Sequence, residues 1–337
     1  METSRPASPA RPGVRPRGRL APSPTGALHL GNARSFLLAW LSVRSRGGSL
    51  VLRIEDLDHP KVKPGAAGAV IDDLRWLGLD WDEGPDVGGP CGPYVQSQRR
   101  SLYRATLGRL IAQGRVYPCV CSRADVEEAQ SAPHPGDAHA LKYPGTCRGR
   151  FATWAEAAAA LPPDRLPAWR FQAEGGLIEF EDGFCGRRAL DPAEATGDFA
   201  LARDPDGAGY MLAVVADDAA MGIDEVLRGD DLIDATHGQI ALQRALGLPT
   251  PRHVHVPLVV AEDGRRLAKR HGDTRLCALR EAGVEAGRIV GLLAWWCGWA
   301  EFGETLTPAE LLLRFDLGTL KRERAVLTPA VKGLLGL

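Results

Sequence analysis

The 337-residue sequence has no stretch approaching the ~18 uninterrupted apolar residues of a membrane-spanning helix, and no apolar signal core at its N-terminus. A cytoplasmic protein with no membrane contact is expected. The chain also lacks a charge bias. With 41 Lys and Arg against 42 Asp and Glu, the formal net charge is −1, so recognition of nucleic acid through a global positive field is excluded and local basic surfaces must make any such contact. The seven cysteines are odd in number, which with a cytoplasmic setting argues against a complete disulfide framework and for thiols or metal ligands. What the chain does have is 45% hydrophobic content, enough for a sizeable core and two or three domains. Residues 1–17, rich in Pro and Arg with almost no apolar content, read as a disordered extension.

Two motifs stand far apart. The first is Pro22-Ser23-Pro24-Thr25-Gly26-Ala27-Leu28-His29-Leu30-Gly31-Asn32. It follows the short apolar segment Leu20-Ala21 and precedes Ala33 to Arg46, where Phe36, Leu37, Trp40 and Leu41 recur at helical spacing. Strand, turn, helix is the local reading. A small-residue turn feeding a helix N-terminus offers backbone N–H groups and the positive dipole end to phosphate oxygens. Gly31 lets a flat base approach the backbone, and His29 can donate to a phosphate. The second motif is Arg266-Leu267-Ala268-Lys269-Arg270. It is a basic loop in which Arg265, Arg266, Lys269, Arg270 and Arg275 face Asp273 alone across residues 265–275.

Between and around these motifs the chain alternates. Leu50 to Asp56 reads as a strand ending in acids and Ala66 to Leu77 as a helix, which continues a doubly wound, Rossmann-type parallel α/β pattern through residues 18–90. Residues 91–190 interrupt it with a cysteine-bearing insertion and an Ala-rich helix near 153–160. Residues 191–274 resume it: Tyr210 to Ala216 and Ile223 to Leu227 as strands, Ile233 to Leu246 as a helix, and Val254 to Val260 as the strand entering the basic loop. Residues 275–337 read as helical, with Trp295, Trp296 and Trp299 packing a helix core. In the insertion, Cys119-Val120-Cys121 and the later Cys147 can close a tetrahedral zinc site. On chemistry alone His134 and His139 are the conventional candidates for a fourth ligand, since imidazole is a common zinc ligand and phenol an uncommon one. Such a zinc would be structural.

The Pro-Ser-Pro-Thr-Gly-x-Leu-His-x-Gly string resembles the first signature of class I aminoacyl-tRNA synthetases, in the wording of the glutamyl and glutaminyl branch. Residues 266–270 resemble the mobile second signature, with Lys269 at the key lysine; Ala268 stands where serine is common and Arg266 where lysine is common. The resemblance covers residues 19 to 300 and is strengthened by Ala213 to Asp218, Met221-Gly222-Ile223 and Arg228 to Leu232. It implies a glutamate pocket built by Arg19, Leu20, Ala21, Pro22, Ser23, Glu55, Tyr210 and Arg228, with Glu55 on the ammonium and the arginines on the carboxylates. Which arginine meets which carboxylate stays open. It also implies ATP, carrying magnesium, on His29, Gly31, Asn32 and Lys269, with His29 and Lys269 stabilising the reacting phosphate. The pattern C-x-C, Y-x3-C resembles the zinc knob of this branch, which implies Cys119, Cys121, Tyr143 and Cys147 as ligands, with His139 the other candidate for the fourth. Only residues 271–337 follow the second motif, too few for a helical stem-contact region and a further anticodon-binding domain. That shortened architecture resembles the paralogous branch that transfers glutamate to queuosine in tRNA(Asp), and a monomer is expected. A minimal enzyme charging tRNA(Glu), a nucleotidyltransferase of the same superfamily and a non-catalytic RNA-binding paralogue are the alternatives.

Overall fold

The computed structural model describes residues 15–57, 62–130, 142–204, 207–265, 267 and 273–337. Strand β1 (Arg17–Leu20) leads through the first-signature turn into helix α1 (Leu30–Arg44), and β2 (Ser49–Leu52) returns parallel to β1. Arg17, read from sequence as the end of the extension, therefore opens the sheet, and its guanidinium is held by Glu83. After helix α2 (Ala66–Trp76) and helix α3 (Arg100–Ala112), the chain enters an antiparallel sheet. This sheet pairs β3 (Val116–Cys119) with β4 (Ala168–Phe171) and β4 with β7 (Phe199–Ala202). Helices α4 (Arg123–Gln130) and α5 (Trp154–Ala159) lie between β3 and β4, and Thr153 caps α5 through the N–H of Glu156. The hairpin β5 (Ile178–Asp182) and β6 (Gly186–Leu190), then the short helix α6 (Pro192–Ala195), precede β7.

Helix α7 (Tyr210–Ala220) leads to β8 (Glu225–Gly229), helix α8 (Ile233–Leu246) and β9 (Arg252–Val256), which pairs parallel with β8. The N–H of Asp224 donates to the carbonyl of Arg17 at 3.0 Å, which sets β8 beside β1. The sequence reading of Tyr210 to Ala216 as a strand is corrected here. Every residue from Leu212 to Asp218 is buried, so the helix has no polar stripe to betray its period, and a short apolar run of this kind reads equally well as a core strand. Likewise Val254 to Val260 is two strands, β9 and β10 (Val259–Ala261), because Pro257 has no N–H to continue a ladder.

The last segment contains α9 (Leu276–Glu281), α10 (Ala286–Cys297), α11 (Pro308–Leu312), β11 (Ala325–Leu327) and α12 (Pro329–Leu335). It is not purely helical: β11 pairs parallel with β10. One apolar core joins Leu20, Leu37, Leu52, Leu74 and Val256 to Leu292, Leu327 and Val331, so this segment packs directly on the parallel strands. As expected, Trp296 and Trp299 are buried, and their indole N–H groups donate to the carbonyl of Val326 and the hydroxyl of Thr319. A second core gathers Leu107, Phe171, Leu201, Leu212 and Leu242, uniting α3, the antiparallel sheet, α7 and α8. Among the described residues no helix is long and apolar enough to cross a membrane.

Candidate active site

Strands β1 and β8, one from each of two parallel pairs, end at one cavity of about 740 Å³. The carboxyl ends of β1 and β8, the first-signature turn and the start of α1 line it, as expected for a ligand site at the carboxyl edge of an open α/β sheet. Arg19, Ala21, Pro22, Ser23, His29, Gly31, Asn32, Glu55, Tyr210 and Arg228 all reach it. Leu20 does not: strand alternation turns its fully buried side chain into the core, away from Arg19 and Ala21. Lys269, with Arg266, Ala268 and Arg270, lies outside the described residues, but the loop's flanks are placed. Leu267 lines the cavity, and the far flank pairs with the first signature, where Leu30 N–H donates to Thr274 O at 3.2 Å and Leu276 N–H to Leu28 O at 2.8 Å. Leu267 and the flank at Thr274 and Leu276 thus adjoin the first signature.

His29 is the N-cap of α1. Its Nδ1 accepts from the N–H of Gly31 at 3.0 Å, while the N–H of His29 donates to Asn32 Oδ1 at 3.2 Å. This reciprocal capping box fixes the imidazole at a helix N-terminus. A Cβ on residue 31 would come 2.9 Å from the His29 ring, so glycine is required for that arrangement.

Glu55 is carried past β2 by backbone bonds from Arg53 N–H to Leu20 O (2.8 Å) and from Glu55 N–H to Pro22 O (2.9 Å). Behind it lies a buried ion network. Arg53 is wholly buried and donates to Glu55 Oε1 at 3.0 Å and to Asp218 Oδ1 at 2.7 Å, with Asp217 at 3.7 Å. Asp217 also accepts from Arg99, Gln96 and Tyr103 at 2.6, 2.9 and 2.8 Å. Burial raises the pKa of Glu55 above the usual range, with Arg53 and Arg19 opposing it. Arg19 donates to the carbonyl of Leu227 at 3.3 Å and stands 3.7 Å from Asp218, while its buried Nε has no hydrogen-bond partner.

Arg228 is buried in a different setting. Its Nε donates to His255 Nε2 (3.0 Å), Nη1 to the Tyr210 hydroxyl (3.2 Å), and Nη2 to Thr236 Oγ1 (2.7 Å) and Gln239 Oε1 (2.8 Å). All four acceptors are neutral, and among the described residues no carboxylate lies within ion-pair distance of this guanidinium. A buried cation without a counter-charge is costly, and an anionic ligand in the cavity would neutralise it. His255, Thr236 and Gln239 escaped the sequence reading. The signal that could have found His255 was its alternation with His253 along Arg252–Val256, two polar rings on one face of a core strand.

A second constellation lies on the antiparallel sheet. The sulfurs of Cys119, Cys121 and Cys147 all lie within 4.8 Å of one another, with Cys121 and Cys147 3.6 Å apart. The Tyr143 hydroxyl is 3.2 Å from Cys119 Sγ and 3.7 Å from Cys121 Sγ, and it accepts the N–H of Cys147 at 2.9 Å. Sulfurs coordinated tetrahedrally at ~2.3 Å sit ~3.8 Å apart, so three thiols and one phenol oxygen fit a single zinc ion. Burial, with the neighbouring Cys119 and Cys147 sulfurs, pushes the Cys121 thiol up to about 12. His134 and His139 lie outside the described residues.

Residues 16–298 match the family model for the catalytic domain of class I tRNA synthetases (E and Q), and the chain belongs to that family. Its curated relatives include two proteins named glutamyl-Q tRNA(Asp) synthetase. The one from Symbiobacterium thermophilum is 51% identical, covering 91% of this chain and 94% of the relative. The one from Nitratidesulfovibrio vulgaris is 47% identical, covering 93% and 96%. A protein from an Anaeromyxobacter species named glutamate–tRNA ligase is 41% identical, but only 62% of its length is matched. Among solved structures, a glutamate tRNA ligase from Elizabethkingia meningosepticum in complex with its amino acid aligns with a TM-score of 0.79 at 26% identity, over 95% of this chain and 69% of that one.

Proposed function

We propose that this chain activates L-glutamate with ATP as glutamyl-adenylate and transfers the glutamyl group to the queuosine base at the wobble position of tRNA(Asp). The observation that carries the glutamate reading is the shared cavity of Glu55, Arg19 and Arg228, where among the described residues Arg19 keeps a buried donor without a hydrogen-bond partner and Arg228 a guanidinium without a carboxylate in ion-pair distance. Glutamate brings two carboxylates and one ammonium, the complement of that set. Hydrogen bonds to charged groups contribute about 1.5–3 kcal/mol each, so glutamine, with a neutral amide facing a buried guanidinium, is disfavoured.

In the first step the α-carboxylate oxygen attacks the α-phosphorus of ATP, the bond to the bridging oxygen breaks, and pyrophosphate leaves with its magnesium ion. The protein supplies position and charge stabilisation rather than a nucleophile. His29, held at the start of α1 with Gly31 and Asn32, meets the phosphates, and Lys269 of the second signature joins them. In the second step a hydroxyl of the queuosine cyclopentene-diol attacks the acyl carbon and AMP leaves. The choice of acceptor is supported by the relatives named glutamyl-Q tRNA(Asp) synthetase, which align over nearly their whole length. Cys119, Cys121, Tyr143 and Cys147 hold one structural zinc ion that braces the insertion, and residues 275–337 contact the RNA stem. We place the enzyme in the cytoplasm, with its RNA, as a monomer.

The test is transfer of radiolabelled glutamate, with ATP and magnesium, to queuosine-containing tRNA(Asp), the same tRNA unmodified, and tRNA(Glu). Label on the first alone supports the proposal. Label on tRNA(Glu) makes the protein a minimal charging enzyme instead.

A further inference from the structure

Arg228 is oriented by a group the reaction does not touch. Its Nε–H points at His255 Nε2, and the other ring nitrogen, Nδ1, lies 2.6 Å from Asp182 Oδ2, both side chains being fully buried. Asp182 closes strand β5, so the hairpin reaches into the pocket wall through this pair. Asp182 Oδ1 is committed elsewhere: it accepts the N–H groups of Phe184 (3.0 Å), Cys185 (2.8 Å) and His255 (3.1 Å). Burial disfavours the charged carboxylate, but His255 and the N–H groups of Cys185 and Phe184 outweigh it and hold Asp182 below the usual carboxylate range. Burial, helped by the Arg228 and Arg19 charges, lowers the His255 pKa against the opposing pull of Asp182.

These contacts leave one arrangement. An arginine N–H can only donate, so His255 Nε2 must present its lone pair and the ring proton must sit on Nδ1, facing Asp182. We infer that Asp182 and His255 are positioning residues that lock the Arg228 guanidinium to receive a substrate carboxylate. The inference rests on the glutamate reading of the cavity. Asp182 supplies its negative charge one ring away. The guanidinium is oriented by an anion without being neutralised through direct pairing, and the Nη1 edge beside Tyr210 stays available to the ligand. Arg19, turned toward Asp218 directly, has no such intermediary.

Asp182→Asn tests this with little change of volume. Because the three backbone N–H groups require an acceptor at Oδ1, the new amide NH₂ must face His255 Nδ1. The ring proton then moves to Nε2, where it opposes the N–H of Arg228 and is drawn toward Thr236 Oγ1, 3.2 Å away. Glutamate-dependent ATP–pyrophosphate exchange should show KM for glutamate raised about 10- to 100-fold, as loss of one charged hydrogen bond implies. KM for ATP should be unchanged. In a His255→Ala background, Asp182→Asn should add no further change in glutamate KM, since it acts through the ring. An unchanged glutamate KM in Asp182→Asn overturns the inference, as does a fall in thermal midpoint with all kinetic constants intact or a full Asp182→Asn effect without His255. Absence of glutamate-dependent exchange in the unaltered protein would instead refute the glutamate reading beneath it.

Discussion

Arg53 and Arg228 are both buried at the same site and are treated oppositely. Arg53 is surrounded by Glu55, Asp217 and Asp218, and its charge is cancelled within the fold. Among the described residues Arg228 meets a neutral ring, two hydroxyls and an amide, and no carboxylate within ion-pair distance. The first is a closed network whose product is a rigid platform for Glu55. The second is open and stays incompletely compensated until an anion arrives. On the proposed reading, one cavity separates scaffold from receptor: the same side chain is structural where carboxylates surround it and receives the substrate where they are withheld.

The largest expected effect breaks the closed side. Asp217→Ala removes the partner of Arg53 and Arg99 from the interior and should lower stability by about 3–5 kcal/mol, read as the urea midpoint. A shift under about 1 kcal/mol would mean the network is dispensable. On the open side, Arg228→Ala should cut glutamate-dependent pyrophosphate exchange by about 10²-fold or more, with a much smaller change in urea midpoint than Asp217→Ala. Normal exchange in that variant would remove Arg228 from the pocket.

A smaller effect follows from pH. Glu55 has its pKa raised by burial, so the folded protein binds that proton more tightly than the unfolded chain. Acid therefore does not cost stability through this residue. It costs binding, because protonated Glu55 cannot meet an ammonium. KM for glutamate should rise as pH falls below neutrality, beginning above the ~4.3 of an ordinary glutamate. A KM flat down to that value would contradict the assignment. The smallest effect on activation belongs to the cysteine cluster. Cys119→Ser should lose the zinc measured by elemental analysis while glutamate-dependent exchange stays within about twofold, as expected for separate sites.

Much of the catalytic half was legible in the sequence because its motifs are local. The first signature names its own strand, turn and helix, and α8 falls at Ile233–Leu246 as its periodicity indicates. The cysteine spacing also anticipated three converging sulfurs. Tyr210 to Ala216 defeated the reading because burial on all sides erases the helical period. The strand β11 was hidden because its partner β10 lies more than sixty residues earlier in the chain, and pairing at that distance leaves no local pattern. The shell around Arg228 was illegible for the same reason: Asp182, Thr236, Gln239 and His255 sit on β5, α8 and β9 and meet only in three dimensions.

The most direct measurement is a crystal structure of the full chain with a non-hydrolysable glutamyl-adenylate analogue. The expected result is a carboxylate of the amino acid within hydrogen-bond distance of Arg228 Nη1, beside Tyr210, with the ammonium on Glu55. An analogue bound with its carboxylate remote from Arg228, leaving that guanidinium still facing only His255, Tyr210, Thr236 and Gln239, would contradict the claim that it is the receptor.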